Sequence, residues 1–420
     1  MNRPVGLPVR YGIIRSLLSL LIFMNVNIQK LYTIAAKPVR TIIGLMSGTS
    51  FDGLDIALCQ FTGSGPGAPV SIQNFITKEY TPQFKEEIKS VFVSRQADLE
   101  KVTVLNAYIG TYYAELINEC LADWGLTADD VDLIASHGQT IFHAPKHLHP
   151  DDHYDNATLQ IGDADHLSVK TGIITLSDFR QKHIAGGGEG APLAVYGDYL
   201  IFSDPHESRV LLNIGGIANF TYLPAGQPAG FFSTDVGPGN TLMDQYVQLH
   251  YPGRYYDKDS ALASQGQVNE VLLKELLKND FFEAPFPKTT GPELFNLAYL
   301  NRALSNTAQT GLSHHDVLAT LAAFSARGII KAIEATVGSG SNFEIYVSGG
   351  GMYNPLLLSH LQKHFGKTIR STNVFGVNPD AKEAVLFALL ANEAVAGSPD
   401  SLSAAAGIPR VSMGKVSFPL

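Results

Sequence analysis

Residues 44–55 read GLMSGTSFDGLD, a glycine turn between two apolar runs. Such a turn points backbone N–H groups outward, and Ser47, Thr49 and Ser50 add hydroxyls, a set that cradles phosphate oxygens. Asp52 and Asp55 stand beside it and could hold Mg²⁺ through water, since Mg²⁺ takes few carboxylates plus phosphate. A plain hairpin with a polar tip is the simpler reading, but it does not need so rich a run. Two further glycine turns follow, NIGGIAN at 213–219 and VSGGGMYN at 347–354. Three such turns at the ends of buried strands point to a nucleotide site. The phosphate loop is not of the Walker type: the one GKT, Gly366 to Thr368, has Leu361 where a glycine belongs. No cluster completes G-x-G-x-x-G either, which disfavours a dinucleotide oxidoreductase.

The elements that must carry these turns are strands and helices in a repeated order. TIIGLMSG, LDIALCQF and VSIQNFITKEY read as three strands, and residues 84–93 and 102–121 carry helical apolar spacing. VDLIASHGQTI and GIITLSDF are strands separated by a polar, histidine-rich loop. RVLLNIGGIANFTYL restarts the scheme, followed by GFFSTDVGPGN, helices at 241–250 and 316–337, the strand EIYVSGGG and a closing helix at 381–396. The expectation is an α/β protein of two similar domains, 37–190 and 191–396, with a cleft between them and a tail at 397–420. Residues 1–36 form an extension. Its apolar run at 13–24 is too short to span a bilayer, which takes roughly 20 residues, and lacks an A-x-A cleavage site. The extension is therefore read as dispensable, with Met24 an alternative start.

Composition narrows the partners. The 420 residues carry 30 basic and 39 acidic side chains, a formal charge of −9, the wrong balance for nucleic acid. Two cysteines, Cys59 and Cys120, exclude a disulfide framework and fit a cytoplasmic protein. The run HAPKHLHPDDH at 143–153 suggests a metal cluster, yet Pro145 and Pro150 forbid the i, i+4 histidine pairing of helical zinc sites. GGGEGAP at 186–192 reads equally as a mobile cleft loop or a tight turn.

Taken together, GLMSGTSFDGLD, ASHGQTIFH, TLQIGDADHLS, SDFRQKHIAGGGEGAPL, LLNIGGIANFT, DVGPGNTLMD, PKTTGPELFN and VSGGGMYN resemble the anhydro-N-acetylmuramic acid kinase family over residues 40–396. The resemblance implies two ribonuclease-H-like domains of the sugar kinase, actin and chaperone superfamily closing over ATP with Mg²⁺. It implies ATP-dependent opening of 1,6-anhydro-N-acetylmuramic acid to N-acetylmuramic acid 6-phosphate, in cell-wall recycling. Gly48, Thr49, Ser50, Asp52, Gly53 and Asp55 then belong to the ATP phosphate motif, with Asp52 toward Mg²⁺. Gly215 and Gly216 join the nucleotide site, and Gly349, Gly350 and Asn354 lie on its adenosine side. Asp235 of DVGPGN matches the catalytic base, although Thr234 stands where the family has Phe. Asp235 ends a strand beside a G-P-G turn and can face a cleft.

His137, Gln139, Asp178 and Arg180 end strands of the first domain and are candidates for sugar and lactate contacts. Arg180 is the better match to the lactyl carboxylate because its fork binds in bidentate fashion. Asp178 is a rival base, or the partner of Arg180 or Lys182 in an ion pair. Expected partners are the anhydro-amino-sugar and ATP, with no nucleic acid, no membrane, and a homodimer left open. The competing functions are a kinase acting on an ordinary sugar hydroxyl and a nucleotide-gated binding protein.

Overall fold

The computed structural model describes residues 24–48, 51–146, 149, 151, 153–191, 193–226, 230–309, 311–338, 340–376, 378, 381–398 and 409–420. Twelve strands are described: β1 Val39–Ser47, β2 Gly53–Thr62, β3 Val70–Glu79, β4 Leu133–Ala144, β5 Ala157–Ile161, β6 Thr175–Ser177, β7 Arg209–Ile214, β8 Ile217–Leu223, β9 Phe232–Pro238, β10 Glu344–Ser348, β11 Arg370–Ser371 and β12 Lys415–Ser417. One sheet runs β12-β6-β4-β1-β2-β3 with β5 paired to β4, and the other runs β11-β10-β7-β8-β9. Three antiparallel strands followed by two parallel ones thus appear twice, as β3-β2-β1-β4-β6 and β9-β8-β7-β10-β11. This is the ribonuclease-H-like order, and the expectation of two such units holds.

The period-2 alternation of β1 explains how the first sheet is covered. Ile43 and Leu45 point into a core shared with the long helix Leu99–Asp123, which carries Ile109, Tyr113 and Ile117. Ile42 and Met46 point the other way, into a core shared with the helix Lys382–Ala396. Gly44 lies on that second face, and a Cβ there would sit 1.9 Å from the Ala384 carbonyl oxygen. The absent side chain lets the helix lie directly on β1. The same core takes in Tyr196 and Leu200 of the helix Ala194–Phe202, and Leu211 and Tyr346 of the second sheet. Two helices therefore fill the space between the sheets. The far face of the second sheet is covered by the helix His314–Val337, through Leu321, Phe324 and Ile329.

Several elements were not visible in the sequence pattern. The histidine-rich loop after β4 contains β5 and the helix Ala164–Thr171, capped by Asp163. Residues in the tail supply β12, which pairs antiparallel with β6. The extension ends in a helix, Val26–Ala36, where the Asn27 side-chain amide donates to Pro419 O at 3.0 Å. Residues 1–23 lie outside the described residues.

Candidate active site

The cleft between the second sheet and the two central helices encloses a cavity of about 770 Å³, and Asp235 lines it. Strand β9 delivers Asp235 opposite Asn219 of β8. Its surroundings come from residues 286–291. The Asp235 N–H donates to Lys288 O at 3.0 Å, and the Thr290 N–H donates to Asp235 Oδ2 at 2.9 Å. Thr234 Oγ1 accepts from the Lys288 N–H at 3.0 Å, stitching the same two segments together. The hydroxyl at position 234 thus has a structural use that a phenylalanine would lack. Burial raises the Asp235 carboxyl above the usual carboxylate range, and the Thr290 N–H partly offsets this. A held carboxylate with a raised pKa is what a general base needs.

A second carboxylate enters the same cavity from the other side. Glu383, in the first turn of Lys382–Ala396, lines the cavity as an exposed residue. Desolvation raises its carboxyl, Arg180 and Lys382 pull it down, and Asp55 pushes it up. Asp55 of β2 also accepts from Thr77 Oγ1 at 2.5 Å. The strand that follows the first glycine turn therefore reaches the cleft electrostatically through Glu383. Asp52 is exposed at the turn, while its carbonyl accepts from the Tyr80 N–H at 3.1 Å. Gly48 and Gly53 flank it, and Thr49 and Ser50 lie outside the described residues.

The other two glycine turns come together. Gly215 O accepts from the Asn240 N–H and Gly216 O from the Gly239 N–H, both at 2.8 Å, so the β7–β8 turn is backed by the turn after Asp235. Gly349 packs against that cluster at φ +79°, where a Cβ would lie 2.6 Å from Asn213 Oδ1. Beside them is a second cavity of about 600 Å³, lined by Asp244, Tyr255, Tyr256, Gly350, Tyr353 and Asn354. Burial pushes Asp244 up to about 6. Asn354 is occupied: its Oδ1 caps the helix Pro355–Phe365 through the Leu357 N–H at 2.9 Å and accepts from Ser260 Oγ at 2.6 Å.

The candidate sugar contacts separate into different jobs. Arg180 Nε donates to His137 Nε2 at 2.9 Å, which leaves the ring proton on Nδ1. Burial and the guanidinium push His137 down to about 3, so it is neutral at ordinary pH. Arg180 Nη1 donates to Gly190 O at 2.8 Å, and His183 Nδ1 accepts from the Gly190 N–H at 2.9 Å. The glycine-rich segment after residue 185 is therefore a clamped turn, with Pro192 outside the described residues. Asp178 pairs with Lys415 of β12, not with Arg180 or Lys182. It lines a separate cavity of about 300 Å³ with His137 and Gln160.

Gln139 is fully buried and its polar atoms are taken. Its Oε1 accepts from Ser47 Oγ at 2.5 Å, and its Nε2 donates to Gly48 O and Thr140 O. Tyr80 OH lies 2.7 Å from Ser47 Oγ and 3.1 Å from Tyr113 OH. Gln139 thus braces the first turn from behind. Of the histidine run, His147, Leu148, Pro150 and Asp152 lie outside the described residues, and among those described no three metal-ligating side chains cluster. No described helix is long and apolar enough to cross a membrane.

Nothing in the sequence gives a role to Glu383 or Asp198, and the 286–291 segment is marked only as part of the motif PKTTGPELFN, without a role. Asp198 left one trace, as the only acid in the apolar helix AVYGDYLIF.

Comparison with known proteins gives the family. The family model described as anhydro-N-acetylmuramic acid kinase matches residues 40–419. A protein of that name from Pseudoalteromonas atlantica is 54% identical over 94% of this chain and all of its own. Its counterpart from Pseudoalteromonas translucida is 50% identical over 94% of this chain and all of its own. That from Caldanaerobacter subterraneus is 36% identical over 93% of this chain and its own full length.

Proposed function

Because the chain belongs to the anhydro-N-acetylmuramic acid kinase family, we propose that it hydrolyses the 1,6-anhydro bridge of anhydro-N-acetylmuramic acid and phosphorylates O6 at the expense of ATP. The product is N-acetylmuramic acid 6-phosphate, and the setting is recovery of cell-wall sugar in the cytoplasm. The observation that carries this reading is Asp235, held by the Thr290 N–H and raised by burial in a cavity of about 770 Å³.

The substrate's chemistry explains why such a carboxylate is required. The oxygen to be phosphorylated is an ether oxygen between C1 and C6, so it has no proton for a base to remove. Water must attack C1 instead. Asp235 takes a proton from that water as the O–C1 bond forms and the C1–O6 bond breaks. O6 then bonds to the γ-phosphorus and the bond to ADP breaks. Positive charge grows at C1 in this step, as in glycoside hydrolysis, and the Asp235 carboxylate offsets it. Glu383, across the same cavity, is placed to accept a hydrogen bond from the water or a sugar hydroxyl.

The first turn, with Gly48, Gly53 and Asp52, receives the phosphates, and the turns at Gly215 and Gly349 complete the nucleotide site. The hard, exposed oxygens of Asp52 suit Mg²⁺ held through water, and the bound ion would neutralise charge building on the phosphoryl oxygens. The cavity beside Gly350 and Asn354 takes the adenosine. Arg180 bears on the sugar site through Glu383, whose carboxyl it faces; His137 and Asp178 line the separate cavity, and Gln139 braces the first turn from behind. Residues 37–190 and 191–396 act as two closing units, with the Lys382–Ala396 helix lying on the first sheet. Product analysis with ATP and the anhydro-sugar tests this: one sugar 6-phosphate should form per ADP, and ADP formed equally without sugar would reject it.

A further inference from the structure

Two lysines line the cavity that holds Asp235, and each ammonium is tied down elsewhere. Lys288 Nζ donates to Phe281 O at 2.7 Å and lies 4.2 Å from the centre of the Phe286 ring. Lys382 Nζ lies 2.6 Å from Asp198 Oδ1, with the Phe202 ring 5.7 Å away. Asp198 is only 7% exposed, and its Oδ2 accepts from Thr221 Oγ1 at 2.8 Å. Thr221 belongs to β8 and pairs with Ser233 of β9, two residues before Asp235. A chain of contacts therefore runs from the helix Lys382–Ala396 through the helix Ala194–Phe202 to the catalytic strand.

This arrangement is not explained by helix stability. Lys382 is the first residue of its helix, where a positive charge opposes the helix dipole, and no side chain caps that end. A buried carboxylate is costly without a partner, and beside the Thr221 hydroxyl on Oδ2 it is the Lys382 ammonium that supplies Asp198 with an opposite charge. The acids lining this cavity are Asp198, Asp235 and Glu383. A lysine released from the first would have the other two to choose from.

We infer that Asp198 is a positioning residue that holds the Lys382 ammonium away from Asp235, so that the base keeps its affinity for a proton. The inference rests on Asp235 being the base. An ammonium that reached Asp235 would lower its pKa by about 1 to 3 units, the range for a close opposite charge. The base would stay ionised to lower pH but would take a proton from water less readily. The other charges facing these groups are Lys288 on the 286–291 segment, Arg180 on the Phe179–Ala185 helix and Asp55 on β2. None of them is altered by changing Asp198.

The test is the pH dependence of kcat in Asp198→Asn, Lys382→Met and the double variant. Asp198→Asn keeps the acceptor for Thr221 and should lower kcat about 10- to 100-fold while moving the acid limb down by about one pH unit or more. Lys382→Met alone should stay within about threefold of wild type. The double variant should recover both kcat and the limb, because no ammonium remains to stray. An unmoved limb, or a double variant as slow as Asp198→Asn, would overturn the inference. If Asp198→Asn does not fold, Asp198→Ser, which likewise removes the charge that holds Lys382, should shift the limb in the same direction; no shift there also overturns it. If Asp235→Asn were fully active, the underlying reading would fall instead, so the two failures are distinguishable.

Discussion

The β1–β2 turn and the β7–β8 turn occupy the same place in two copies of one topology, yet they are braced by different means. Behind the first stands a chain of side chains, Gln139, Ser47, Tyr80 and Tyr113, all buried. Behind the second stands backbone: the carbonyls of Gly215 and Gly216 are met by N–H groups of residues 239–241. In the first arrangement Asp52 is exposed. The second locks the turn to the segment that leaves β9, and so to Asp235. Equal topology gives two equivalent positions, and the local bracing leaves Asp52 exposed at the first and ties the second to the strand that carries Asp235.

The largest effect should come from the second position. Asp235→Asn keeps an oxygen for the Thr290 N–H and nearly the same volume, so binding of both substrates should persist while kcat falls about 10²- to 10⁴-fold. Steady-state kinetics with calorimetric binding would check the split. An intermediate effect belongs to the first: Asp52→Asn should raise the Mg·ATP requirement about tenfold, the scale of one lost charge contact, with sugar binding intact. An unchanged Mg²⁺ titration would remove Asp52 from the site. The smallest is Tyr80→Phe, which loses the buried hydrogen bonds to Ser47 and Tyr113 and should cost about 1 to 2 kcal/mol in denaturant unfolding. If the first turn is braced as described, that variant should also weaken ATP more than sugar.

Much of this was legible before any coordinates. The duplicated strand order followed from apolar runs broken by glycine turns, because a buried strand and a turn are both local events. The family resemblance picks out Asp235 through DVGPGN. The rest depends on neighbours distant in sequence. Gln139 is polar and sits near a strand end, which suggests a ligand contact, but its partners are residues 47 and 48 on another strand. Asp178 reads from the sequence as a rival base or as the partner of Arg180 or Lys182, whereas Lys415 reaches it from a strand more than two hundred residues later. β5 is five residues long and falls inside a turn-rich stretch, too short for its alternation to stand out. Glu383 gave no sign, since its meaning comes from the cavity that two sheets and two helices make together.

The central claim is that Asp235 directs water to C1 and not to phosphorus. Turnover in oxygen-18 water, followed by mass spectrometry of the sugar phosphate, tests this most directly. The account predicts one label in the C1 hydroxyl per turnover and none in the phosphoryl group. Label in the phosphoryl group, or an unlabelled product, would contradict it.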